Sequence, residues 1–257
     1  MRGRQGTAVS GGHPFGRPHR HYRRTDSTNL RAKALAEAGA PDGLVVTADQ
    51  QTAGRGRRGH SWFGPPGTTL LYSALLRPFD GDPLLSLAVP IAVCEAAEAV
   101  APVRCQVKWP NDVWIEGRKA AGVLVEAQPG DGWAVIGVGL NVAVPEEEFP
   151  PELRGAARSL APTESEGEPP PGGAPTVAAA LAELNRTLER WAAASSDQVL
   201  DAFRARDALC GRRVAWEGGE GVAELVDEHG HLVVATDAGE RVELGAGEVH
   251  LALEPER

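Results

Sequence analysis

The sequence predicts an α+β fold: a mixed, mainly antiparallel sheet with flanking helices, followed by a small C-terminal β-barrel. Three observations carry that reading. Helical and strand patterns do not alternate regularly, which argues against a series of βαβ units. Between residues 103 and 144, apolar strand-like runs are separated only by short turns such as "PND" and "EGR", as in antiparallel ladders. Beyond Gly211 the pattern changes to short alternating strands divided by Gly-rich turns, over about 45 residues.

Taken in order, residues 1–24 are rich in Arg, Gly and His and lack an apolar segment, so a disordered tail is expected there and not a secretory signal. "TDSTNLRAKALAEAGA" (25–40) opens on polar cap residues, places Leu30, Ala34, Leu35 and Ala38 at helical spacing, and stops at Gly39. "LVVTA" (44–48) and "TTLLYSALL" (68–76) read as strands. In "DPLLSLAVPIAVCEAAEAV", Asp82 is the expected N-cap and Pro83 the first helical residue, with a kink at Pro90. Strands follow in "VRCQVKW", "VWI", "KAAGVLVEAQ" and "WAVIGVGLNVAV". "APTESEGEPPPGGAP" (161–175) has the composition of a flexible surface loop. Thr176 then caps a helix carrying Val177, Leu181, Leu184, Leu188 and Trp191 on one face, and "SDQVLDAFRARDALCG" is a second helix ending at Gly211. The expected organisation is a tail (1–24), a principal domain (25–210) and a small barrel (211–257).

With 257 residues, 42% of them hydrophobic, the chain can bury one good core and a small second one. The formal net charge is -9, although the first 24 residues hold six Arg and no acid, so the body is more acidic still. An acidic body argues against general nucleic-acid binding, which needs a positive field, and suits a soluble cytoplasmic protein. No run of about 18 apolar residues is present, so no membrane segment is expected. Cys94, Cys105 and Cys210 show no C-x-x-C spacing and sit among apolar neighbours, where buried reduced thiols are expected and a zinc site or disulfide is not.

The stretch "GRGRRGHSW" (54–62) contains G-x-G-x-x-G. A dinucleotide-binding turn needs a helix near the third glycine. Here "HSWFGPPGTT" follows, and Pro65-Pro66-Gly67 excludes one. Asp80 and Asp82 stand at a ribose-binding distance but precede a helix. A nucleic-acid patch is poorly supported, because three arginines on an acidic chain make a weak footprint. Two readings remain: a turn with solvated arginines, or a loop that holds a small anion. Glycines let backbone approach a ligand closely, and guanidinium forks grip phosphate and carboxylate oxygens.

The loop has company. "DSTN" (26–29), "ADQQTAG" (48–54), "KWPNDV" (108–113), "RKAAGVLVE" (118–126) and "GVGLNV" (137–142) are polar clusters at strand ends. In this order and spacing they resemble the catalytic domain of the biotin–protein ligases (biotin–[acetyl-CoA-carboxylase] ligases), from about Asp26 to the C-terminus. The resemblance implies a class II aminoacyl-tRNA-synthetase/biotin-ligase-like fold with an SH3-like terminal barrel. It implies ATP and biotin as substrates, with Mg²⁺ accompanying ATP, and a biotinyl-5′-AMP intermediate. Transfer then goes to a lysine of a biotin carboxyl carrier domain of an acyl-CoA carboxylase. It implies a monomer or homodimer, with no nucleic-acid or membrane partner. The winged helix-turn-helix of two-function relatives is not expected in so short a leading segment. Lipoate–protein ligase is the rival enzyme, and a non-catalytic biotin sensor the rival of another class.

The resemblance also assigns roles. Lys119 bridges the biotin carboxylate and the α-phosphate; as a structural alternative it is a solvated hairpin lysine. Arg55, Gly56 and Arg57 line the intermediate, Arg57 ordering the loop over it, and Arg58 meets protein or solvent. Ser27, Thr28, Asn29 and Gln51 contact biotin, whose ureido ring needs both donors and acceptors. Ser27 or Thr28 can equally serve as a helix cap. Gly122 lets its strand approach the ligand closely. Trp62 shields or stacks near adenine, or packs in the core. Lys108 approaches the phosphates, Asn111 and Asp112 orient the nucleotide or a Mg²⁺, Pro110 stiffens the turn, Trp109 packs, and Asn141 reaches the nucleotide. His60 stands where relatives carry a longer basic side chain, and Ala252 where some carry an arginine.

Overall fold

The computed structural model describes residues 14–162, 173–245 and 249–251. Its principal sheet contains β1 (His19–Tyr22), β2 (Val45–Ala48), β3 (Thr69–Leu76), β4 (Gln106–Lys108), β5 (Asp112–Ile115), β6 (Arg118–Gln128) and β7 (Trp133–Asn141). They lie in the order β1-β2-β3-β7-β6-β5-β4, every neighbouring pair antiparallel except β1 with β2. This is the mixed sheet the turn chemistry predicts. The β5–β6 hairpin turns at Glu116 (φ 51°) and Gly117 (φ 75°), two left-handed residues, as a tight hairpin needs.

Helices cover the sheet unequally. Helix α1 (Thr28–Glu37) packs Ala32 and Ala36 against Leu44, Val46, Leu75 and Val135 on one half of one face. The opposite face is sealed by α2 (Leu85–Val100), whose Leu87, Val89, Ile91 and Val93 join Tyr72, Val107, Val123, Ile136 and Val138 in the main core. Outside α2 lie α3 (Val177–Trp191) and α4 (Ser196–Arg204). Thr176 caps α3 as its sequence predicts, Oγ1 accepting from Ala179 N–H, and Ser195 forms a capping box with Gln198 at the start of α4.

The C-terminal strands β8 (Arg213–Trp216), β9 (Gly219–Val226), β10 (Leu232–Thr236), β11 (Arg241–Leu244) and β12 (Val249–Leu251) form a five-stranded antiparallel sheet in the order β11-β10-β9-β8-β12. The buried Trp109 fastens this sheet to the principal one, its indole N–H donating to the Gly230 carbonyl at 2.9 Å.

Several local expectations need correction. Residues 14–24 are not a tail: β1 joins the sheet, with His19 and His21 on Thr47 Oγ1 at 2.8 and 2.9 Å, and Gly16 N–H donating to the Gly43 carbonyl. Residues 1–13 lie outside the described residues. Helix α2 begins at Leu85, not at Pro83; Asp82 Oδ1 still accepts from Leu84 N–H, but residues 83–84 form only a turn. It runs on through Pro90, which lacks the donor for one helical bond. Helix α4 ends at Arg204, because residues 206–208 leave it to pair with Val107 at the edge of β4. Cys94 and Cys105 are buried, whereas Cys210 is exposed at the surface of the terminal sheet. The loop expected at 161–175 falls mostly on residues 163–172, outside the described residues, as does Ala252. Among the described residues no helix is long and apolar enough to cross a membrane.

Trp109→Phe keeps the packing but removes the hydrogen bond to the half-buried Gly230 carbonyl. The expected cost is about 1–3 kcal/mol of unfolding free energy, seen as a lower urea midpoint at unchanged slope.

Candidate active site

Helix α1 leaves the other half of its sheet face uncovered, and three of the strand positions there are glycines. Gly122 on β6 pairs with Gly139 on β7, and Gly137 pairs with Leu124 on one side and Ser73 on the other. A Cβ on Gly139 would stand 2.3 Å from the Trp62 indole, one on Gly122 2.9 Å from it, and one on Gly137 2.1 Å from Asn29 Oδ1. The three glycines make room for the Trp62 indole and the Asn29 amide to lie against the sheet, in the wall of a cavity of about 320 Å³. Its lining includes every residue that the sequence analysis singled out for a site: Ser27, Thr28, Asn29, Gln51, Arg55, Gly56, Arg57, Trp62, Lys108, Asn111, Asp112, Lys119, Gly122 and Asn141.

The closed end is polar. Ser27 is the N-cap of α1, yet its side chain makes no capping bond; the Gln51 amide oxygen takes that place, accepting from Thr28 N–H at 2.7 Å and Thr28 Oγ1 at 3.1 Å. Ser73 Oγ lies 2.6 Å from Asn29 Oδ1 and 2.8 Å from Thr28 Oγ1, with one proton to share between them. Asn29 Nδ2 donates to the Leu124 carbonyl (3.3 Å) and to Glu126 Oε2 (3.0 Å). Buried amides and hydroxyls here offer both donors and acceptors beside a helix N-terminus.

The arginine loop folds over the cavity as a narrow hairpin. Trp62 N–H donates to Gly54 O and Gly56 N–H to His60 O, and the turn passes through Arg58 (φ 52°) and Gly59 (φ 84°). No helix follows it, in keeping with the exclusion of a dinucleotide turn. Arg55 Nη1 reaches Glu126 Oε1 at 3.3 Å, and Arg57 Nη1 donates to Asn111 Oδ1 at 3.4 Å. Arg58 points outward to Glu217 at 3.8 Å, as a solvated arginine would. Trp62 lies on the glycine floor with its buried indole N–H unpartnered among the described residues.

Lys119 enters the same face by a register shift. Across β5, Asp112 pairs with Gly122 and Val113 with Ala121, but Trp114 pairs with Lys119, so Ala120 is the extra residue of a bulge. Three positions apart, Lys119 and Gly122 would otherwise face opposite sides of the sheet; the bulge re-aims the lysine. Its Nζ sits 2.7 Å from Asp112 Oδ1 and 5.7 Å from the centre of the Trp62 ring. Lys108, opposite Asp112 on β4, places Nζ 5.3 Å from the Trp114 ring. Asn111 Nδ2 donates to the Val123 carbonyl at 2.6 Å, which locks the "PND" turn over the sheet.

The remaining wall comes from residues the sequence analysis did not single out. Phe149, Leu153 and Ala157 line the cavity from a segment that adds itself to the sheet: Lys119 N–H donates to Ala156 O, Arg158 N–H to Lys119 O, and Leu160 N–H to Asn141 O. Asn141 Nδ2 donates to Arg158 O at 3.3 Å, and its buried Oδ1 has no partner among the described residues. Ser73 and Glu126 were missed too. Ser73 left a signal, a small hydroxyl in the middle of an apolar strand, and so did Gly137 and Gly139, two residues apart on one face. Glu126 left none beyond its place at the end of "RKAAGVLVE".

Comparison with known proteins agrees with this geometry. Residues 21–142 match the model of the biotin/lipoate A/B protein ligase family. A biotin–[acetyl-CoA-carboxylase] ligase of Mycobacterium tuberculosis is 37% identical over 239 residues, covering 88% of this chain and 85% of that protein. The bifunctional ligase/repressor BirA of Bacillus spizizenii is 40% identical over 140 residues, 52% of this chain, and the match spans only 43% of that longer relative. Among solved structures, the biotin protein ligase from Aquifex aeolicus in complex with biotin and ATP superposes with a TM-score of 0.74 at 28% identity, covering 91% of this chain and 98% of that one.

Gly137→Ala pushes a methyl into Asn29 Oδ1 and breaks the buried polar cluster. It is expected to destabilise the fold by about 1–3 kcal/mol in urea titration.

Proposed function

The chain belongs to the biotin/lipoate A/B protein ligase family, and from that membership we propose that it biotinylates a specific lysine of a biotin carboxyl carrier domain at the expense of ATP. The observation that carries this reading is the order of chemistry along one cavity: a polar closed end, the Trp62 indole, then a cationic mouth. A ureido ring brings one carbonyl and two N–H groups, which Thr28, Asn29, Gln51 and Ser73 can meet. The dithiolane of lipoate brings no hydrogen-bonding group and gains nothing from this polar cluster. This favours biotin over lipoate.

With biotin so placed, its carboxylate tail runs past the Trp62 indole, which covers Gly139 and Gly122, toward Lys119 and Arg57. A carboxylate oxygen attacks the α-phosphorus of ATP; the bond to the β-phosphate oxygen breaks, and pyrophosphate leaves. Lys119, shared between carboxylate and α-phosphate, lowers their mutual repulsion, and Arg55 and Arg57 close over the anhydride. The acceptor lysine amine then attacks the acyl carbon, forms the amide, loses a proton and releases AMP. Lys108 faces the phosphates, while Trp62 and Asn141 border the nucleotide end. The Asp112 carboxylate and the Asn111 amide oxygen are the residues that would hold a Mg²⁺ arriving with ATP, which would neutralise charge on the triphosphate. We read residues 211–257 as a small SH3-like barrel, since β12 returns to pair with β8, and residues up to 210 as the catalytic unit.

Two assays test the proposal. Pyrophosphate release should require both ATP and biotin and should not occur with lipoate; release with lipoate alone would favour the rival. A carrier domain should become avidin-reactive in the same mixture, which a biotin sensor would not achieve. Lys119→Ala should cut adenylation by at least about 100-fold with an unchanged circular dichroism spectrum; full activity would remove Lys119 from the mechanism.

A further inference from the structure

One carboxylate ties three elements of the cavity together without lining it. Glu126 lies on the pocket face of β6, four residues beyond Gly122, with its side chain only 17% exposed. Its Oε1 accepts from Lys33 Nζ of α1 at 3.0 Å and meets Arg55 Nη1 of the arginine loop at 3.3 Å. Its Oε2 accepts from Asn29 Nδ2 at 3.0 Å. We propose that Glu126 is the positioning residue for the biotin half of the site, orienting the Asn29 amide and latching the Arg55 end of the loop over the cavity. This rests on the biotin-ligase reading above.

Chemistry leaves the Asn29 amide one orientation here. A carboxylate only accepts, so the NH₂ group must face Glu126 and the Leu124 carbonyl, and Oδ1 must face Ser73 and the glycine floor. The ligand therefore always meets an acceptor at that point. The same carboxylate stands between the ammonium of Lys33 and the guanidinium of Arg55, so the charge that fixes the helix also holds the loop. Burial pushes the Glu126 carboxyl upward, but hydrogen bonds from Asn29 and Lys33 and the charges of Lys33 and Arg55 outweigh it and hold it below its ordinary value. It is thus ionised near neutral pH.

Two variants and two readouts test the role. Glu126→Gln keeps the shape and one acceptor for Asn29 but gives up the charge; Glu126→Leu gives up both. Pyrophosphate release at saturating ATP and varied biotin should show KM for biotin raised roughly ten-fold in Glu126→Gln and further in Glu126→Leu, with kcat within about two-fold of the parent. Trypsin should cut the ligand-free variants after Arg55, Arg57 or Arg58 several-fold faster than the parent. Unchanged KM for biotin together with unchanged cleavage would overturn the proposal. So would a fall in kcat at constant KM, which would move Glu126 into the chemical step. If Glu126→Leu fails to fold, the near-isosteric Gln variant decides. A parent that releases no pyrophosphate with biotin sinks the functional reading instead, and the digestion still reports on the latch.

Discussion

A cavity against a β-sheet needs strands with nothing to put in it, and Gly122, Gly137 and Gly139 meet that need on two adjacent strands. Two of them pair directly across the β6–β7 ladder, so the gap left by one continues into the next. Everything around the floor is arranged by contact with it. Trp62 lies flat where two side chains are missing, and Asn29 reaches in where the third is missing. The cost is conformational: glycine weakens a strand interior. The same two strands are sealed on their other face by Val123, Ile136 and Val138 in the main core, which offsets it.

The second constraint is charge. The chain carries a net -9, yet it gathers Arg55, Arg57, Lys108 and Lys119 around one cavity. Several of these are already held from the side: Lys119 by Asp112, Arg55 by Glu126, Arg57 by the neutral Asn111 oxygen. Cations placed beforehand need little reorganisation when an anion arrives, which is where electrostatic catalysis gains most. The acidic neighbours also offset the mutual repulsion of these positive charges at close range. The apolar wall of Phe149, Leu153 and Ala157 lowers the local dielectric and strengthens these interactions further.

Much of this was legible in the sequence, for identifiable reasons. Helices α1 and α3 announced themselves by spacing and end residues, and the ladder from β5 to β7 by its turns. The site residues converged because their motifs fall at strand ends on one side of one sheet. What escaped depends on long-range pairing. The strand β1, "HRHY", has no apolar alternation and gains its place only from β2. The bulge at Ala120 that turns Lys119 toward Gly122 is a property of two strands and leaves no local mark. Leu85 opens α2 because residues 83–84 turn before it. Ser73 and Glu126 acquire meaning only once Asn29 is brought between them from 44 and 97 residues away.

The most direct measurement is a crystal structure of the protein grown with biotin and ATP. The expected result is a ureido ring hydrogen-bonded among Thr28, Asn29, Gln51 and Ser73, an acyl tail lying along the Trp62 indole, and the α-phosphate within about 3 Å of Lys119 Nζ under a closed arginine loop. A ligand bound elsewhere, or a phosphate linkage remote from both Lys119 and Arg57, would contradict it.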